Sequence, residues 1–104
     1  MASIRWTVGA RNDLRDIIAF ISKDSATYAA ATADYILLAS ERLRTYPKIG
    51  RMVPEFGDPA VREIIVGNYR LIYRLRRQQI GILAVVQGSR DLLRRLPKGA
   101  WDFG

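Results

Sequence analysis

Apolar positions recur in three different rhythms along this chain. Over residues 3–7 they alternate, with Ile4 and Trp6 on one side, the period of a short strand. From about Val8 the period lengthens. Ala10, Leu14, Ile17, Ile18 and Ile21 recur at helical spacing, while Arg11, Asp13, Arg15 and Asp16 fall outside the stripe. This predicts an amphipathic helix with Thr7 as its N-cap. Lys23, Asp24 and Ser25 break the pattern, and Asp24 or Ser25 caps a second helix over about residues 26–45. That helix combines Ala26, Ala29, Ala30, Ala31, Ala33 and Ala39 with Tyr28, Tyr35, Ile36, Leu37, Leu38 and Leu43. It is apolar around much of its circumference, so it must bury more than one face, against its own core or against a partner. Tyr46-Pro47 ends it, because the residue before proline is pushed out of the α region.

After a loop containing Pro54, Gly57 and Pro59, alternation returns in three strands over residues 61–66, 69–77 and 80–87. Gly67-Asn68 and Gln78-Gln79 are the expected turns. With two-residue turns, Ile64 meets Leu71, Arg62 meets Tyr73, Leu71 meets Val86 and Leu75 meets Ile82. One sheet face then carries Ile64, Val66, Tyr69, Leu71, Tyr73, Leu75, Ile82, Ala84 and Val86, a surface for helices with Arg62 at its edge. The other carries Val61, Glu63, Ile65, Arg70, Ile72, Arg74, Arg76, Leu83, Val85 and Gln87. Its polar members converge: Arg70 stands opposite Gln87, and Glu63 lies diagonal to Arg70 and Arg74. Such a face is either an anion-binding surface or a charge-paired, solvated one. Residues 89–96 suit a short helical turn stopped by Pro97, and the tail from Lys98 to Gly104 is too short to fold alone.

At 104 residues the chain is expected to form one domain, 1–104. No apolar run approaches the ~18 residues that cross a bilayer, and the start lacks the apolar core of a secretory signal. A cytoplasmic protein without membrane contact is expected. There is no cysteine and no histidine, which excludes disulfides, makes a zinc site improbable and removes the usual near-neutral proton shuttle. No cofactor or metal is expected. The charge is +7 and unevenly placed: residues 61–104 hold nine basic and three acidic residues, residues 1–60 eight and seven. Fourteen of the basic residues are arginine and three are lysine. Arginine's planar fork suits carboxylate and phosphate, so nucleic acid, a nucleic-acid enzyme or an acidic protein are the partners this half would meet.

REIIVGNYRLIYRL followed by ILAVVQGSRDL resembles the core signature of the RelE/ParE toxins of bacterial type II toxin–antitoxin systems. That signature is an Arg-Glu-apolar strand, then Tyr-Arg-apolar-apolar-Tyr, then an apolar strand ending near a Gly-Arg element. Upstream, ARNDLRDIIAFI resembles the first helix of the family, and ERLRTYPKIGRMVPEF the connection after the second. The resemblance implies an α+β fold of order β-α-α-β-β-β, a helical hairpin packed on a twisted antiparallel sheet. It also implies a cognate antitoxin, ParD-like or a similar small DNA-binding protein, that neutralises the toxin.

The family divides by target. In the RelE-like branch, members cut mRNA in the ribosome, and there Arg70 and Arg90 match the family's arginines, with Glu63 or Tyr69 left for proton work. Gln87 stands where relatives can hold histidine, and no tyrosine follows Tyr73. General acid or base assistance is worth roughly 10²–10⁴-fold per group, so its absence weighs against an enzyme. The ending DLLRRLPKGAWDFG agrees with the ParE-like branch, whose members inhibit DNA gyrase. The favoured expectation is a non-enzymatic gyrase inhibitor contacting its target through Arg70, Arg74, Arg90, Arg94, Arg95 and Trp101. Trp101 and Phe103 equally suit a tail folded back over the core. The antitoxin is expected to cover Tyr35 and Leu38, with Arg70 and Arg74. A ribosome-dependent mRNA interferase is the alternative.

Overall fold

Both predicted caps stand where the helices begin. The Thr7 hydroxyl accepts from the Ala10 N–H at 3.1 Å and starts α1 (Val8–Ser22). It also donates to the Ile82 carbonyl at 3.0 Å, tying the helix start to the sheet. Ser25 accepts from the Tyr28 N–H at 3.0 Å and starts α2 (Ala26–Arg42). The computed structural model describes residues 1–97. Around the helices lie β1 (Ser3–Trp6), β2 (Arg51–Met52), β3 (Val61–Val66), β4 (Tyr69–Arg76), β5 (Gln79–Gln87) and the short α3 (Leu92–Arg95). The sheet order is β1-β5-β4-β3-β2. The α+β helical hairpin on a sheet is therefore present as expected. Two details are added: β1 joins β5 in parallel, and the two-residue β2 extends the far edge.

The first long hairpin has the predicted register, with Ile64 opposite Leu71 and Arg62 opposite Tyr73. The second does not. Its strands turn at Arg77-Gln78, with Arg77 at φ 58 in the left-handed region, so Leu75 faces Ile80 rather than Ile82. A bulge follows: Tyr73 faces Ile82 but Ile72 faces Ala84, leaving Leu83 as the extra residue. Beyond it every side chain changes face. Val85 joins the helix-packed surface, while Ala84 and Val86 move to the opposite one. Gln87 pairs with Tyr69, and Val86 takes the predicted place of Gln87 opposite Arg70.

The two sheet faces each carry a core. Under the helices, Ala10, Ile36 and Leu43 meet Leu71, Tyr73, Ile80, Ile82 and Val85. On the other face, Val53 and Phe56 from the loop after β2, with Leu92 and Leu96 around α3, cover Val61, Ile72, Leu83, Ala84 and Val86. This second face was expected to be open; it is roofed instead. β5 is consequently buried from both sides over Ile80 to Val86. Among the described residues no helix is long and apolar enough to cross a membrane.

Candidate functional site

Beside the second core, four charged side chains form a continuous chain of ion pairs, Arg51–Glu63–Arg70–Glu55. Arg70 on β4 and Glu63 on β3 share the roofed face, Arg51 on β2 stands opposite Glu63, and Glu55 comes from the turn after β2. Arg70 Nε donates to Glu63 Oε1 at 2.6 Å, and Arg51 Nε to Glu63 Oε2 at 2.6 Å. The outer end of Arg70 grips Glu55 with two prongs, Nη1 to Oε2 at 2.7 Å and Nη2 to Oε1 at 2.8 Å. The Glu63 side chain is 0% exposed and that of Arg70 9%, against 30% for Glu55. The Arg70 hydrogen bond is the main cause holding the Glu55 carboxyl below the usual carboxylate range. The Arg70 pKa is raised, first by Glu55 and then by Glu63, against the pull of burial.

The backbone that brings Arg51 to this chain is fixed by Tyr73 and Gly50. The buried Tyr73 hydroxyl donates to Pro47 O at 2.8 Å and accepts from the Gly50 N–H at 3.0 Å. A Cβ on Gly50 would lie 2.6 Å from the Glu63 carbonyl oxygen and 2.7 Å from that hydroxyl, so no larger residue fits without movement. Burial pushes the Tyr73 hydroxyl up, and it stays a neutral donor.

A separate groove runs between α1 and the turn from β5 to α3. Ile17 and Phe20 line one wall, Tyr69 and Gln87 the floor, and Arg90, Arg94 and Arg95 the other wall. Arg95 is engaged with Asp13 through Nε to Oδ1 and Nη2 to Oδ2, both at 2.8 Å, and Asp13 Oδ2 also accepts from the Val85 N–H at 3.0 Å. A Cβ on Gly9 would fall 2.6 Å from Arg95 Nη2, so the small residue at the start of α1 makes room for this tie. Arg90 and Arg94 are exposed. Arg74 is half-buried on β4, opposite Val61 and Gly81. Trp101 and the rest of the tail from Lys98 lie outside the described residues.

The extra apolar residues of α2 divide. Ile36 and Leu43 are fully buried, whereas Tyr28, Tyr35 and Leu38 are more than 60% exposed. On the other flank, Leu37 helps Trp6, Val8, Leu14 and Ile18 line a second groove, with Arg5, Arg11 and Arg15 at its rim. This groove lies along β1, an edge strand of the sheet.

Of the four residues considered for RNA cleavage, Arg70 and Glu63 occupy the roofed face, while Tyr69 and Arg90 line the groove against α1. Tyr69 and Arg70, neighbours on β4, both border a small pocket beside the β3–β4 turn. Three of the five Arg70 N–H donors are committed to carboxylates. Glu63 in turn is held by two arginines, one on each carboxylate oxygen. Among the described residues no group of three or more His, Cys, Asp or Glu could hold a metal. Sequence reasoning missed Glu55, Arg51 and Asp13. Their partners are 15, 12 and 82 positions away, and no local pattern announces them.

Residues 4–92 match a family model described as the ParE toxin of a type II toxin-antitoxin system, parDE. Among solved structures, a chain of the chromosomal ParDE TA system from P. aeruginosa superposes with a TM-score of 0.69 at 22% identity. The match covers 84% of this chain and 96% of that chain, and it shows a shared fold. Among curated proteins nothing matches.

Proposed function

Because the chain belongs to the ParE toxin family of type II toxin–antitoxin systems, we propose that it acts in the cytoplasm by binding DNA gyrase and is neutralised by a cognate antitoxin. The observation that carries the choice of a docking toxin over a nuclease is the occupied fork of Arg70. A scissile phosphate needs that fork, and Glu55 fills it while Glu63 holds the Nε edge. Of the arginines expected to meet a target, Arg90 and Arg94 are the exposed ones, beside the apolar Ile17 and Phe20. A surface mixing arginine with an exposed aromatic suits a protein or protein–DNA target. The test is gyrase supercoiling with purified protein at micromolar concentration. Loss of supercoiling is expected, with mRNA left intact in a translation extract. Unimpaired supercoiling overturns the reading.

For the antitoxin, the exposed flank Tyr28, Tyr35 and Leu38 and the Arg-rimmed groove along β1 offer apolar surface bordered by positive charge. An amphipathic, acidic segment complements both. Leu38→Asp is expected to weaken antitoxin binding by roughly 30-fold, the loss of one central apolar anchor. Stability should change by no more than about 0.5 kcal/mol, since the side chain is already exposed. Titration calorimetry with the antitoxin, beside a denaturation curve, checks both. Unchanged affinity would remove this flank from the interface.

A further inference from the structure

We propose that Asp13 is the positioning residue of the target-binding face: it fixes the roll of α3, and through α3 the directions in which Arg90 and Arg94 leave the protein. The proposal rests on the gyrase-docking reading above and names a residue on which that surface depends.

The need for such a residue follows from where β1 stops. That strand pairs with β5 only as far as Trp6, opposite Ile82, whereas β5 runs on to Gln87. Beyond Ile82 the outer edge of β5 has no neighbouring strand among the described residues, and its backbone groups need other partners. An ion pair supplies them. Asp13 Oδ2 accepts from the Val85 N–H at 3.0 Å, and Arg95 Nη2 donates to the Leu83 carbonyl at 3.4 Å. The same two side chains close on each other through two bonds of 2.8 Å. Asp13 therefore joins α1, β5 and α3 at one carboxylate.

α3 needs this attachment. It is a single turn, and its Leu92 carbonyl accepts from the Leu96 N–H at 2.8 Å. Leu92 and Leu96 lie on one side of that turn and are both buried in the second core. Two anchors in line define an axis about which so short an element can roll. Arg94 stands on the far side of the axis, exposed, and a roll moves it most. Arg90 lies on the turn leading into the Asp91 cap and is carried along. Arg95 is off the axis, so its bonds to Asp13 block the roll. Gly9 serves the same contact: a Cβ there would fall 2.6 Å from Arg95 Nη2. That clash is with the end of a flexible side chain, so an alanine displaces the guanidinium and leaves the fold intact.

Two variants test this without touching either target arginine. Asp13→Asn keeps the size of the side chain and an oxygen for the Val85 N–H, but loses the charge that draws Arg95. Gly9→Ala keeps both charges and moves Arg95. In a supercoiling titration each should inhibit gyrase roughly tenfold more weakly than wild type, as when the competent orientation falls to about a tenth of the molecules. Added to Arg90→Glu with Arg94→Glu, Asp13→Asn should cost no more than about twofold further, because it acts through those two side chains. Hydrogen exchange at the Leu96 N–H reads the placement of α3 with no target present. It should quicken in both variants while the Leu71 and Ile72 amides keep their wild-type rates. Quickening at all three would mean a merely structural role and overturns the proposal. So does unchanged exchange at Leu96, wild-type inhibition by both variants, or a full tenfold loss on top of the arginine reversals. Wild type that leaves supercoiling untouched defeats the gyrase reading instead, and the exchange rates then decide alone whether Asp13 fixes α3.

Discussion

Glu63→Ala is expected to destabilise the fold by about 3–5 kcal/mol, the cost of leaving a buried charge without its partner. Each carboxylate oxygen of Glu63 now serves one arginine at 2.6 Å, and the side chain is out of contact with water. Alanine leaves the Nε edge of Arg70 facing an empty, water-poor space between β3 and β4. Arg51 suffers less, because its side chain is 64% exposed and can turn to solvent. Urea denaturation should show a lower midpoint with little change of slope. A loss below about 1 kcal/mol would mean that the quartet behaves like an ordinary surface pair.

Two comparisons separate the causes. Removing Glu55 instead should cost only about 1 kcal/mol, since water reaches its place. Substituting Glu63→Leu and Arg70→Met together removes both buried charges and should recover most of the stability lost in Glu63→Ala. The Glu55 contact also carries a pH signature. Its folded-state pKa is lowered, mainly by the Arg70 hydrogen bond, so the contribution is complete above the ordinary value of 4.5 and is lost as pH falls below it. Wild type should therefore lose stability in acid more steeply than Glu55→Gln. Parallel curves would show that the bond contributes nothing.

The helices, their caps and the first long hairpin were legible because each has a local signature: Thr7 and Ser25 before helical stripes, and Gly67-Asn68 between alternating strands. The second hairpin was not. Ile80 to Val86 is buried from both sides, so apolar residues run without alternation and cannot report which face they take. The turn at Arg77 uses a left-handed arginine where glycine or asparagine would have marked it. Together with the bulge at Leu83, this placed Gln87 on the wrong face and made the arginine surface look open. The roof was hidden for another reason. Val53 and Phe56 lie in a loop rich in turn residues, and Leu92 and Leu96 in a helix too short for a periodic signal. Family resemblance located Arg70, yet what Arg70 does depends on Glu55, a residue with no motif of its own.

Arg90→Glu combined with Arg94→Glu is expected to weaken gyrase inhibition by roughly 100-fold, about 2.7 kcal/mol, because reversed charge repels where the original attracted. Both side chains are exposed at the rim of the groove beside Phe20, and no salt bridge or side-chain hydrogen bond among the described residues holds either. The fold should therefore tolerate the change, unlike reversal at Arg95, which would break its tie to Asp13. Net charge alone is a rival explanation, since the chain starts at +7 and the pair removes four charges. Arg76→Glu with Arg77→Glu provides the control, removing the same charge from the exposed tip of the second hairpin. In a supercoiling titration the control should stay within a few-fold of wild type, and its deficit should vanish as salt screens long-range attraction. The Arg90 and Arg94 pair should remain defective at the same salt, because docking itself is lost. Equal deficits in the two pairs would mean that the toxin is drawn to its target by bulk charge and not by this groove. Full inhibition by the Arg90 and Arg94 pair would place the contact surface elsewhere on the molecule.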